Sequence, residues 1–102
     1  MKRVLVRYRV KPELVEENER LVRDVYAELA SADPDGLRYA TFKLDDGVSF
    51  VHVAFHDDEN NPLNRTPAFQ RFLEGIRERC DESPVTTALE EIGSYRFHEE
   101  AR

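Results

Sequence analysis

The side chains of this 102-residue chain best suited to moving a proton near neutral pH are three histidines, His52, His56 and His98. A lone cysteine, Cys80, is the one thiol. His52 sits inside Val48–Phe55, the most apolar run of the sequence. Alternation elsewhere brings Arg7 and Arg9 beside it from one segment, and Tyr39 and Thr41 from another. An imidazole in such surroundings can act as a general base or orient a ligand in a cavity. The competing reading is an interface histidine bonded across a dimer, and that reading is preferred. Asn18 is the one polar residue on an otherwise apolar helical stripe. Such residues usually bond backbone or water at a helix edge, and pocket lining is the alternative. With Tyr8 it completes the candidate catalytic set His52, Asn18 and Tyr8.

The remaining donors carry less. His56 stands next to Asp57, Asp58 and Glu59, but adjacent residues at a strand end point apart. No CxxC spacing is present, and His52 and His56, although four apart, lie on an extended run and not on a helix face, so no metal site is expected. Glu90 and Glu91 face opposite sides of an extended segment and cannot act as a pair, although either can neutralise Arg7 or Arg9. Cys80 has no base near it in sequence and reads as a small core residue. Phosphate-binding glycine loops and nucleophile motifs are absent. The expectation is a protein without flavin, nicotinamide or metal. Heme is the group least excluded, because one axial histidine suffices and His52 or His56 is available.

The elements that must position these residues follow from periodicity. Lys2 to Val10 alternates, with Val4, Val6, Tyr8 and Val10 on one face and Arg3, Leu5, Arg7 and Arg9 on the other. A helix starts at Pro12 and Glu13 and carries Leu14, Asn18, Leu21, Val22, Val25 and Leu29 on one stripe. It ends before the turn signal Asp33-Pro34-Asp35-Gly36. Leu37 to Leu44 is a second strand, joined to Val48–Phe55 by a hairpin at Asp45-Asp46-Gly47. A two-residue Asp46-Gly47 turn sets Phe42 opposite Val51 and Ala40 opposite Val53. Asn61-Pro62-Leu63-Asn64 places a core-type residue in the following loop. Thr66 and Pro67 open a second helix with the stripe Phe69, Phe72, Leu73, Ile76 and Cys80, interrupted by Gly75. Asp81-Glu82-Ser83-Pro84 reads as a break. Val85 to Phe97 reads as the last strand, with a bulge at Gly93.

Strand, helix, strand, strand, helix, strand is the order of an α+β, ferredoxin-like βαββαβ fold: a four-stranded antiparallel sheet with both helices on one face. Right-handed crossovers put the first and third strands in the middle. Residues 1–98 are expected to form one domain, and 99–102 a frayed charged tail. The helices are expected to cover the Val51, Val53 and Phe55 side. The other side, carrying Leu5, Arg7, Arg9, Tyr39, Thr41, Phe50 and His52, is then bare. A patch of that kind calls for a second copy of the sheet, so a homodimer is expected.

Composition narrows the partners. A net charge of −6 disfavours nucleic acid and anionic membrane surfaces. The closest RNA-binding motif match, Asp46-Gly47-Val48-Ser49-Phe50-Val51, has an acid where a base is required and Val48 where a stacking ring is required. No apolar run is long enough for a membrane span, and the N-terminal residues have no signal-peptide core. A single cysteine suits a reducing cytoplasm.

The strand Val4–Val10, the helix Pro12–Leu29, the Tyr39–Phe42 strand before its hairpin, the Phe50–Phe55 strand, the Phe69–Phe72 helix and the Gly93-Ser94-Tyr95 ending together resemble the dimeric α/β-barrel proteins of the antibiotic-biosynthesis-monooxygenase-like group. The resemblance implies dimerisation sheet to sheet. It also implies activities such as oxygenation of aromatic polyketides without metal or flavin, or heme degradation. Oxygenases of the group often use Trp, Asn and His between sheet and helices. This chain has no Trp, and Asn18 and His52 stand outside such a motif. The functional expectation is a cofactor-independent, monooxygenase-like enzyme acting on a small aromatic or hydrophobic molecule. The alternative is a non-catalytic dimeric module that binds a ligand or partner.

Overall fold

Three arginines on one face of the first strand and three apolar residues with a tyrosine on the other decide which way the sheet turns. In the computed structural model, which describes residues 1–97, β1 (Lys2–Val10) buries Tyr8 and Val10 and leaves Arg7 and Arg9 exposed. A short 3-10 turn at Pro12–Leu14 leads into α1 (Val15–Ala32), which buries Asn18, Val22 and Val25. α1 ends on Asp33 in the left-handed conformation, whose N–H bonds back to the Leu29 carbonyl.

β2 (Leu37–Lys43) and β3 (Ser49–His56) form the expected hairpin, with Phe42 opposite Val51 and Ala40 opposite Val53. The turn is pinned by the Asp46 carboxylate, which accepts from the Val48 and Ser49 backbone N–H groups and from the Ser49 hydroxyl. These bonds hold its pKa down to about 2. Gly47 supplies the positive φ the turn requires.

The loop after β3 packs down through Leu63, only 3% exposed, from a 3-10 turn at Pro62–Arg65. The second helical region is broken: α2 (Pro67–Leu73) stops, Gly75 takes a φ of +73°, and a single turn, α3 (Ile76–Arg79), follows in a new direction. Cys80 is therefore the first residue of β4 (Cys80–Ala88) and not the end of a helical stripe, although it is buried as expected. β4 also starts earlier than Val85. Asp81 to Pro84 extend the strand because β4 lies at the sheet edge, and the register against β1 shifts between Arg7 and Arg9, where proline is tolerated. Residues 89–97 carry no strand, so Gly93 is not a bulge. The expected frayed tail, 99–102, lies outside the described residues.

The strand order is β2-β3-β1-β4, all antiparallel, with β1 and β3 central. The core joins Tyr8, Val10 and Phe50 of the sheet to Val22 and Val25 of α1 and Phe72 and Ile76 of the second helical region. This corrects the face assignment. Tyr39, Thr41, Phe50 and His52 point toward the helices, and Phe50 and His52 are 2% and 5% exposed. They do not share a face with Leu5, Arg7 and Arg9. β1 pairs with β3 so that Tyr8 meets Phe50 and Leu5 meets Val53. The bare face therefore carries Leu5, Arg7, Arg9, Ala40, Phe42, Val51 and Val53, with Phe42 57% exposed.

Candidate functional site

The face inversion carries His52 from the expected seam into the interior, where it meets both other members of the candidate set. The Tyr8 hydroxyl lies 2.7 Å from His52 Nε2, and Asn18 Nδ2 donates to the same hydroxyl at 3.0 Å. Asn18 is fully buried. Its position on the α1 stripe thus serves a hydrogen bond to the sheet and not to water at a helix edge. On the far side of the imidazole, Nδ1 lies 2.6 Å from the Tyr39 hydroxyl and 3.1 Å from Thr41 Oγ1. Tyr26 of α1 closes the chain, its hydroxyl 2.8 Å from Thr41 Oγ1.

Arg79, which no motif or stripe in the sequence singles out, extends the network at its other end. Its guanidinium is buried and donates from Nε to Asn18 Oδ1 at 3.2 Å. The other nitrogens donate to the Phe72 and Glu74 carbonyls at 2.6 and 3.0 Å, satisfying backbone acceptors at the end of α2. The same group lies 5.3 Å from the centroid of the Phe72 ring. The clue in the sequence is Gly75: a positive-φ residue there re-aims the chain, turning a residue of an amphipathic helix inward.

Aromatic rings hold the network in place. Tyr8 stacks on Phe50 at 5.5 Å, and the His52 ring lies 5.3 Å from those of both Tyr8 and Phe72. Tyr26 stacks on Tyr39 at 5.2 Å. Burial drives the electrostatics. It pulls His52 down to about 4, so the imidazole is neutral at physiological pH. Burial raises Tyr8 well above the ordinary phenol range, outweighing the Asn18 hydrogen bond, and raises Tyr39 and Tyr26 as well.

Beside the network is a partly enclosed cavity of about 290 Å³ between the sheet and the second helical region. Val4, Val6, Ala54, Phe69, Phe72 and Ile76 make it mainly apolar, and Tyr8, Tyr39 and His52 belong to its wall. All three candidate catalytic residues are thus brought together, two of them lining a cavity. Elsewhere, His56 Nδ1 bonds the Asp57 carbonyl, and burial raises the Cys80 thiol. Among the described residues no three His, Cys, Asp or Glu side chains converge as a metal site would require. No helix there is long and apolar enough to cross a membrane.

A four-stranded antiparallel sheet with its helices on one side is the ferredoxin-like fold that the resemblance to the antibiotic-biosynthesis-monooxygenase-like group implies. Solved structures bear out that resemblance of fold. One, an antibiotic biosynthesis monooxygenase, superposes with a TM-score of 0.72 at 21% identity, covering 91% of this chain and all of its own. SnoaB, a cofactor-independent oxygenase from Streptomyces nogalater, gives 0.66 at 17% identity, covering 96% of this chain and 97% of its own. A conserved protein from Methanosarcina mazei gives 0.66 at 18% identity over 86% and 89%. No protein-family model and no curated protein matches the sequence.

Proposed function

We propose that this chain is a cofactor-independent, monooxygenase-like enzyme whose substrate is a small hydroxylated aromatic molecule held in the cavity beside His52. A volume of about 290 Å³ stands at the small end of ligand pockets and suits one or two rings. The observation that carries the reading is the 2.7 Å contact of Tyr8 with a neutral His52 in the cavity wall. A bound phenol can pass its proton to the Tyr8 oxygen while the Tyr8 proton passes to Nε2. The phenolate ring left behind is rich enough in electrons to react with dioxygen. One oxygen atom stays on the ring carbon as a carbonyl. The other leaves as water with the phenolic and ring hydrogens, and the substrate supplies all the electrons. The oxygenase among the structural neighbours supports this choice of chemistry.

The test is oxygen consumption by purified protein with a panel of phenols and naphthols, read by electrode and by quinone absorbance. His52→Gln is expected to lower the rate by about 10²–10⁴-fold, the span of a general base. Absence of both oxygen uptake and phenol binding by calorimetry would sink the proposal. The alternative, a binding module, is favoured by the fact that both His52 nitrogens already have partners. Its signature is saturable binding with no oxygen consumed.

The assembly belongs to the same proposal. The bare face bearing Leu5, Arg7, Ala40, Phe42, Val51 and Val53 suits a second copy of itself about a two-fold axis. Each large apolar side chain covered contributes about 1.5–3 kcal/mol, enough in sum to outweigh the cost of association. Arg9 is already paired with Glu82 at 3.2 Å, which eases its inclusion at the rim. The setting we infer is a reducing cytoplasm, which the single buried thiol supports.

A further inference from the structure

The buried network has a direction, and one cation sets it. The Nε–H of Arg79 can only donate, so the Asn18 atom it meets must be the carbonyl oxygen. That turns the Asn18 amide nitrogen toward Tyr8, and the Tyr8 oxygen accepts from it. The Tyr8 hydrogen then has to be donated elsewhere. The acceptor within hydrogen-bond distance is His52 Nε2. A proton on Nε2 would aim two hydrogens along one short line, or strand a phenol that is 2% exposed. The imidazole must therefore carry its proton on Nδ1, where Tyr39 and Thr41 accept it.

We propose that Arg79 is a positioning residue that, through Asn18 and Tyr8, holds His52 in the Nδ1–H tautomer and keeps Nε2 as the acceptor of the Tyr8 hydrogen. This rests on the reading of His52 as the base of the site, and it deepens that reading. Without a directing cation, the Asn18 amide can turn over, Tyr8 can donate to it, and His52 can carry its proton on either nitrogen. The base would then turn its lone pair away from Tyr8 for part of the time. Arg79 touches neither the cavity nor a reacting atom, and it acts only through the chain.

The experiment reads tautomers directly, with no substrate. In ¹⁵N-labelled protein near pH 7, long-range proton–nitrogen correlation separates the protonated from the bare nitrogen of each imidazole. His56→Gln and His98→Gln variants identify the His52 signals. The expected wild-type pattern is one tautomer, protonated at Nδ1. Arg79→Met is expected to convert it to an averaged pattern with intermediate shifts at both nitrogens, and Arg79→Lys to restore it. Because Arg79 also ties two backbone carbonyls, Arg79→Met can fail to fold. Asn18→Leu then cuts the chain while leaving those two bonds in place, and the same averaging is expected. A wild-type proton on Nε2 overturns the proposal. So does an unchanged Nδ1–H tautomer in whichever of these variants folds. An Nδ1–H tautomer in a protein that consumes no oxygen upholds the positioning role and refutes the catalytic reading, so the two failures are distinguishable.

Discussion

The neutral, buried His52 makes stability depend on pH in a calculable way. Its pKa falls from the ordinary 6.5 to about 4 on folding, because burial penalises the imidazolium. The folded state therefore binds fewer protons than the unfolded chain at intermediate pH. The stabilisation is fully present above pH 6.5 and is lost as pH falls through the folded value near 4. At roughly 1.4 kcal/mol per unit of pKa difference, the loss amounts to about 2 kcal/mol between pH 7 and pH 5, and about 3 kcal/mol by pH 4. Competing titrations lie lower. Glu19, held down chiefly by its hydrogen bond to Lys43, and Asp46, near 2, lose their contributions only below the ordinary carboxylate range. Urea unfolding at pH 7, 6 and 5 measures the effect, with His52→Gln as the reference. Glutamine can still accept from Tyr8 but does not titrate. The wild type should lose about 2 kcal/mol more than the variant across that interval. Parallel pH dependences in the two proteins would show that His52 is hydrated in the folded state, and the buried network would have to be abandoned.

Other perturbations separate the two faces of the sheet. The wild type is expected to sediment as a dimer and Phe42→Asp, on the bare face, as a folded monomer, whereas Phe50→Asp, beneath the helices and stacked on Tyr8, should not fold. Circular dichroism alongside sedimentation at micromolar concentration checks both. Alkaline titration followed by phenolate absorbance should show Tyr8 and Tyr39 still protonated past pH 10, because burial raises both, with ionisation of the two accompanying unfolding. Cys80, buried and raised by desolvation, should react with a thiol reagent only after denaturant is added.

Local signals carried the fold a long way. The hairpin register follows from the Asp46-Gly47 turn and is the one observed. The element order leads to the observed strand order through the handedness of crossovers. The α1 stripe reports its buried face, including Asn18. Boundaries failed where tertiary context overrode composition. Asp81-Glu82-Ser83-Pro84 has the residues of a turn, yet β1 captures it as an edge strand, with the register shift absorbing Pro84. Periodicity continues the second helical stripe through Gly75, but the left-handed conformation at that residue ends one helix and aims Arg79 inward.

The largest error was one of parity, and its cause explains why the site was hidden. The hairpin ties the faces of β2 and β3 to each other, but nothing local ties them to β1. β1 and β3 pair with Val6 opposite His52, residues with no turn between them, and a slip of one position exchanges every side chain on β3 relative to β1. Hydrophobicity alone places the more uniformly apolar set, with Val51, Val53 and Phe42, under the helices. β1 settles the choice the other way. Its Val6, Tyr8 and Val10 face must go inward, because Arg3, Leu5, Arg7 and Arg9 occupy the other side, and the pairing brings Phe50 and His52 in with it. The polar atoms so enclosed are affordable only because they satisfy one another, from Arg79 through Asn18, Tyr8 and His52 to Thr41. A hydrophobicity count treats each of these residues as a cost to burial. Together they form a closed set of donors and acceptors, which suits them to a protein interior and to a candidate active site.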